Sequence, residues 1–198
     1  DTYGIESRLT VDHNLLGFGG ETEIGVRFHD ERQRRRQLNG DTPTARAPGT
    51  SVNAGVRENN ERDVTAFSAF LQSRFELGRL ALTPGVRAEI IDFTRRNLPI
   101  DILAGGRPSG AVTAVTQGSE SLDKLLPGMG ATYAITDAIT LYGGVHRGFA
   151  PPRVEDIITA TGGSVDLGAE LSWNYEIGLR GDIVPGVNFD ATAFVMDF

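Results

Sequence analysis

Four arginines fall within five positions, at Arg32, Arg34, Arg35 and Arg36, and a further pair stands at Arg95 and Arg96. Guanidinium groups pair in a planar fork with carboxylates and phosphates, so these clusters suit the capture of an anionic ligand. They equally suit a solvated loop whose charges meet lipopolysaccharide phosphates or nothing in particular, because exposed charge by itself is worth little. Arg87 and Arg180 sit two and four positions from Glu89 and Glu176. Such residues either line a ligand path or form cross-strand charge ladders. His29 and His146 are of metal-ligating type, yet no third ligand follows at a motif spacing, and His13 falls in a turn. No Gly-x-Ser-x-Gly elbow, paired His–Glu metal motif or phosphate loop is present. The chemistry on offer is binding rather than bond-making, and neither cofactor nor metal is expected.

Composition narrows the class. The chain has 198 residues, a formal net charge of -7, 25 glycines and no cysteine. The missing thiols exclude a disulfide framework, a thiolate zinc site and a cysteine nucleophile. The acidic balance argues against a nucleic-acid partner, which is normally met by a basic face. The longest unbroken apolar run is Ala193–Met196, whereas a transmembrane helix needs ~20 such residues. A membrane barrel escapes that test, because its strands carry apolar residues only at alternate positions.

Alternation is what the sequence shows. Tyr3, Ile5, Leu9 and Val11 fall opposite Glu6, Arg8, Thr10 and Asp12, and Ile24, Val26 and Phe28 oppose Glu23, Arg27 and His29. Phe67, Ala69, Leu71 and Phe75 oppose Ser68, Gln72 and Arg74, with Phe70 out of phase. Leu80, Leu82, Val86 and Ala88 oppose Thr83, Arg87 and Glu89. Four more segments repeat the pattern around Met129–Ile135, Ile139–Val145, Trp173–Leu179 and Val187–Val195. Period two means strands with two unlike faces.

The connections separate a membrane barrel from a soluble sandwich, which would also alternate. Short links are expected at 13–20, 76–79, 136–138 and 183–186, rich in turn formers. Long links are expected at about 32–61, 94–120 and 150–170. Compact soluble domains seldom hold three structureless loops of that size. Outer-membrane barrels combine tight periplasmic turns with long outer loops. The expected fold is therefore all-β: an antiparallel up-and-down transmembrane β-barrel, with about eight strands forming part of a larger barrel. Both ends of the chain fall within or beside strand patterns, which suggests a segment of a longer protein. Trp173 and Tyr175 on the apolar face suit an aromatic girdle at the membrane interface. Pro151-Pro152 suits a strand end.

Several segments resemble one family. Thr83–Glu89 and Leu126–Tyr133 look like its strands flanking periplasmic turns. Val145–Pro152 is similar to its strand end that closes in Gly-Phe, one variable residue and two prolines. Leu167–Arg180 resembles its return strand, with Glu170, Ser172, Asn174-Tyr175-Glu176 and Gly178-Leu179 at the matching places. These are features of TonB-dependent receptors, and His146 looks nearest to the ferric-citrate type. The usual Asn-Pro before the return strand is replaced by Ser164-Val165-Asp166, and neither plug domain nor TonB box is found in this stretch.

The resemblance implies that residues 1–198 are a segment of the receptor's β-barrel domain, without the plug. It implies a bacterial outer-membrane protein, not an enzyme, that imports a siderophore or ferric citrate. The TonB complex would act through the missing N-terminal part, and lipid and lipopolysaccharide would surround the wall. Ligand contacts are expected among Arg87, Arg95, Arg96, His146 and Arg147, with Arg32, Arg34, Arg35 and Arg36 as an outer-loop basic cluster. The alternatives are a passive outer-membrane pore, a structural barrel, an outer-membrane enzyme or a soluble β-rich module.

Overall fold

A computed structural model describes residues 1–15, 17–49, 51, 55–100, 114–184 and 186–198. Parts of the links expected at 13–20, 32–61, 94–120 and 183–186 lie outside the described residues. The chain forms strands β1 (Thr2–Leu15), β2 (Phe18–Asn39), β3 (Gly55–Leu77), β4 (Leu80–Asn97), β5 (Thr116–Ala134), β6 (Ile139–Ala150), β7 (Glu170–Val184) and β8 (Val187–Asp197). One short helical turn, α1 (Val154–Ile157), lies between β6 and β7. The strands make a single sheet in sequence order, every neighbouring pair antiparallel. The sheet does not close on itself; β1 and β8 are its edges.

Hairpin geometry follows from the turn residues. Leu77 pairs with Leu80, so Gly78 and Arg79 alone turn the chain. Two-residue hairpins require positive φ, and Gly78 adopts φ 68°. Gly17 and Gly186 play the same part after β1 and β7, at φ 84° and 85°.

The apolar positions meet no second layer. Along the register Ile5 faces Phe28, Phe28 faces Phe67 and Phe67 faces Ile90. All four are exposed, as are Leu71, Leu125, Met129, Tyr175 and Ile177. A sandwich would bury this face against a facing sheet. Lipid is the solvent in which such a face is stable, provided every backbone group is paired, as a closed barrel ensures. The opposite face is polar and concave: a hollow of about 570 Å³ is lined by residues from β1 through β7, among them Arg8, Glu23, Gln72, Arg87, His146 and Glu176.

Three expected links are shorter than the alternation suggests; that at 13–20 reduces to 16–17, so His13 lies in β1, paired with Gly20, and not in a turn. β2 and β3 hold 22 and 23 residues, far beyond the ~9–11 that cross a bilayer. The link expected at 32–61 shrinks to 40–54, and that at 94–120 to 98–115. The basic cluster is thus strand rather than loop. Its pairing holds without apolar residues because Arg32, Arg34, Arg35 and Arg36 register against Asp63, Glu61, Asn60 and Asn59. Ladder hydrogen bonds and opposed charges suffice to hold a polar strand pair in water. Phe70, out of phase with its strand, lies over Gly25, where an added Cβ would come within 2.1 Å of the ring.

The core lies on the polar side. Ile91 and Phe93 of β4 pack with Val154, Ile157 and Ile158, joined by Val64, Ala66, Leu122 and Phe149. Ile157 and Ile158 are 1% and 0% exposed. The segment between β6 and β7 therefore folds inward over β3–β5 instead of standing away from the wall.

Candidate functional site

Two constellations occupy the polar face. The first lies around the hollow, which Arg8, Glu23, Gln72, Arg87 and Glu176 line. Arg87 pairs with Glu89 on the same strand, and Ser68 Oγ donates to Glu89 Oε2 at 2.5 Å across to β3. Gln72 Nε2 donates to Glu23 Oε2 at 2.7 Å, and Arg8 lies 3.6 Å from Glu23. The Arg180 guanidinium stacks 5.4 Å over the Tyr142 ring, and Tyr142 in turn meets Asp190 at 2.5 Å. Arg87 thus pairs along its own strand rather than in a cross-strand charge ladder, and Arg180 leans on an aromatic ring. His146 lines this hollow.

The second constellation is at the end where the long links emerge. Period two puts Arg35, Glu58, Asn60, Arg62, Arg95 and Asn97 on the polar face. Arg62 reaches Glu155 Oε2 at 2.8 Å, Glu58 Oε1 at 3.1 Å and Asn60 Oδ1 at 3.0 Å. Arg35 spans the same carboxylates, 2.9 Å from Glu58 and 3.6 Å from Glu155. Arg95 Nη1 donates to the Ile158 carbonyl at 2.7 Å, and Nη2 stands 3.5 Å from Glu58. Asn97 Nδ2 donates to Thr159 O at 3.3 Å, and Thr116 Oγ1 to Ala160 O at 2.8 Å. Asn60, Arg62, Arg95 and Asn97 are all buried. A buried charge is tolerable only when paired, which explains why three guanidinium groups converge on two carboxylates. Partial burial opposes ionisation of Glu155, but a backbone hydrogen bond and the charges of Arg62, Arg35 and Arg153 outweigh it and hold the carboxyl below its ordinary range.

Residues 1–198 match, end to end, the family described as TonB dependent receptor-like, beta-barrel. The chain belongs to the TonB-dependent receptors. Its fold recurs in the unliganded ferric citrate transporter FecA, at 18% identity and TM-score 0.73 over 98% of this chain and 27% of that one. It recurs in the alcaligin outer-membrane receptor FauA from Bordetella pertussis, at 20% identity and TM-score 0.67 over 98% and 28%. The closed form of the ferric-catecholate import receptor Fiu from E. coli K12 gives 19% identity and TM-score 0.70 over 98% and 31%. This chain thus spans under a third of the length of these solved receptors. No curated protein sequence matches it. Members of the family are outer-membrane receptors and transporters rather than enzymes.

The receptor wall distributes the expected ligand residues unevenly. Arg87 and His146 face the hollow. Arg95 also points inward but is buried beneath the β6–β7 segment. Its neighbour Arg96 lies on the other side of the wall, 3.7 Å from Glu61. Arg147 also borders the hollow, while alternation sets it beside its strand partner Trp173, the guanidinium 5.1 Å from the ring. Arg32 pairs with Asp63 at 2.6 Å on the outward side, which Arg34 and Arg36 share by alternation, leaving Arg35 alone within. His29 meets Glu31 at 3.7 Å on β2 and is not brought to His146 on β6. Among the described residues no cluster could hold a metal. Glu58, Arg62, Asn97 and Glu155 were not singled out by sequence. The available signal was the three carboxylates Glu58, Glu61 and Asp63, opposite in charge to the arginines of 32–36.

Proposed function

We propose that the chain is a stretch of wall and outer loops from a bacterial outer-membrane receptor that takes up a ferric chelate, a siderophore or ferric citrate, with energy supplied through TonB. The observation that carries this reading is one open antiparallel sheet, apolar on one side and polar on the other, that matches the receptor barrel along its whole length. The similar folds of a ferric citrate transporter and a ferric-catecholate receptor support the ligand class. In this reading a plug and the TonB contact belong to other parts of the full protein. Arg87 and His146 face the ligand path, and Trp173, Tyr175 and Arg147 lie at the lipid interface, where aromatic rings with a polar edge are stable.

The test is uptake of radiolabelled iron by cells expressing the full-length receptor, with ferric citrate, a ferric catecholate and a ferric hydroxamate as separate probes. One chelate is expected to enter only when the inner-membrane energy supply through TonB is intact. Uptake of none, or uptake indifferent to TonB, overturns the proposal. Liposomes holding the same protein should hold an ion gradient; free leakage would favour a passive pore.

A further inference from the structure

We infer that residues 151–169 form a fixed inward ledge that sets the size of chelate admitted, rather than a cover that moves over it, a role that rests on the receptor reading. The segment is docked by three independent devices. Ile157 and Ile158 are buried against Ile91 and Phe93. Side chains from two strands, Arg95 and Asn97 on β4 and Thr116 on β5, hold the successive carbonyls of Ile158, Thr159 and Ala160. The Glu155 carboxylate closes the clamp formed by Arg35, Glu58 and Arg62.

The backbone fit leaves no slack. A Cβ on Gly118 of β5 would come within 2.6 Å of Gly162 O, and a Cβ on Gly162 within 2.7 Å of Gln117 O. Within the segment Thr159 N donates to Gly163 O at 2.8 Å, Gly162 N to Thr159 O at 3.0 Å and Val165 N to Ile157 O at 2.8 Å. These bonds pair part of its polar backbone and give the segment a defined shape. Leaving the wall would bare two isoleucines and strip buried arginines of their partners, both unfavourable. Moving covers are drawn from segments with few buried contacts, and this one contributes Val154, Ile157 and Ile158 to the buried hydrophobic cluster. Docked against β3–β5, it takes up room on the same polar face that carries the hollow.

Three arms test the ledge in the full-length receptor. With Thr116→Cys and Ala160→Cys joined by a short bifunctional maleimide, ferric citrate uptake is expected to stay within about twofold of the unjoined protein, as for a segment that need not move. A loss of about tenfold or more overturns the inference. A nitroxide on Thr161→Cys is expected to be immobilised without ligand and to remain so with ferric citrate; a mobile label in either state overturns it. Undocking by Ile158→Asp, with Ile158→Val as control, is expected to mobilise that label and let a larger ferric peptide chelate enter. A mobilised label with the same chelates taken up in the same order overturns the size-setting role. If Ile158→Asp fails to assemble, Glu155→Gln keeps the apolar contacts and is read the same way. If the unaltered receptor takes up no chelate, the receptor reading and the size-setting role fall together, while the label still decides whether the ledge is fixed.

Discussion

Arg95 and Arg96 are neighbours in the chain and occupy opposite sides of the wall, so a double substitution would mix two unrelated effects. Arg95→Ala removes a buried donor and leaves the Ile158 carbonyl without its partner, a loss of ~1–3 kcal/mol for a buried polar group. Urea unfolding of the detergent-solubilised receptor should detect it. Arg96→Ala touches a half-exposed pair with Glu61, and unfolding is expected to change by under ~0.5 kcal/mol. Equal losses for the two would mean that the register is wrong. Glu155 offers a pH-dependent check. Its carboxyl is held below the ordinary range, so its stabilising contribution is complete above the unfolded carboxylate value of ~4.3 and is lost as pH falls through the lower folded value. Hydrogen exchange at the Ile158 and Val165 amides should therefore accelerate below about pH 4, the acid side of that ordinary carboxylate value. In Glu155→Gln exchange should be faster already at neutral pH and should lack this acid step. These residue contacts were illegible in the sequence, because Glu155 and Arg62 are 93 positions apart and nothing local announces their meeting.

At the scale of elements, the strands were legible where apolar and polar residues alternate, and their ends were not. From Glu31 to Asn39 β2 carries scarcely an apolar residue, so the periodicity that betrays a strand disappears while the strand itself continues on charge pairing with β3. The turn glycines were legible, since a two-residue hairpin leaves few choices. Gly78→Val forces a β-branched residue to φ 68°, at a cost of ~1–2 kcal/mol for the left-handed conformation. The receptor should unfold at lower urea with its uptake unaltered. A variant as stable as the parent would show that the β3–β4 turn has a different backbone. Phe70 over Gly25 was visible in sequence only as a phase error. Its meaning required the neighbouring strand, whose missing side chain makes the slot the ring fills.

For the molecule as a whole, the decisive asymmetry is between an exposed apolar face and a polar one. Leu71 is on the apolar face and Gln72, beside Glu23, on the polar one. Leu71→Arg is expected to cost ~2–4 kcal/mol near the bilayer midplane and to slow insertion of the full receptor into vesicles. Gln72→Arg keeps a partner in Glu23 and should insert normally. Indifference to both would imply that this face never meets hydrocarbon. The sequence by itself determined the two faces, the hairpins and the order of the strands, because a strand's side chains alternate by backbone geometry alone and antiparallel neighbours need only a tight turn. Tertiary structure decided which arginines look inward, how far β2 and β3 reach, and that residues 151–169 lie across the lumen side. Those outcomes depend on register between strands and on pairing of distant charges, and neither leaves a periodic trace in the chain.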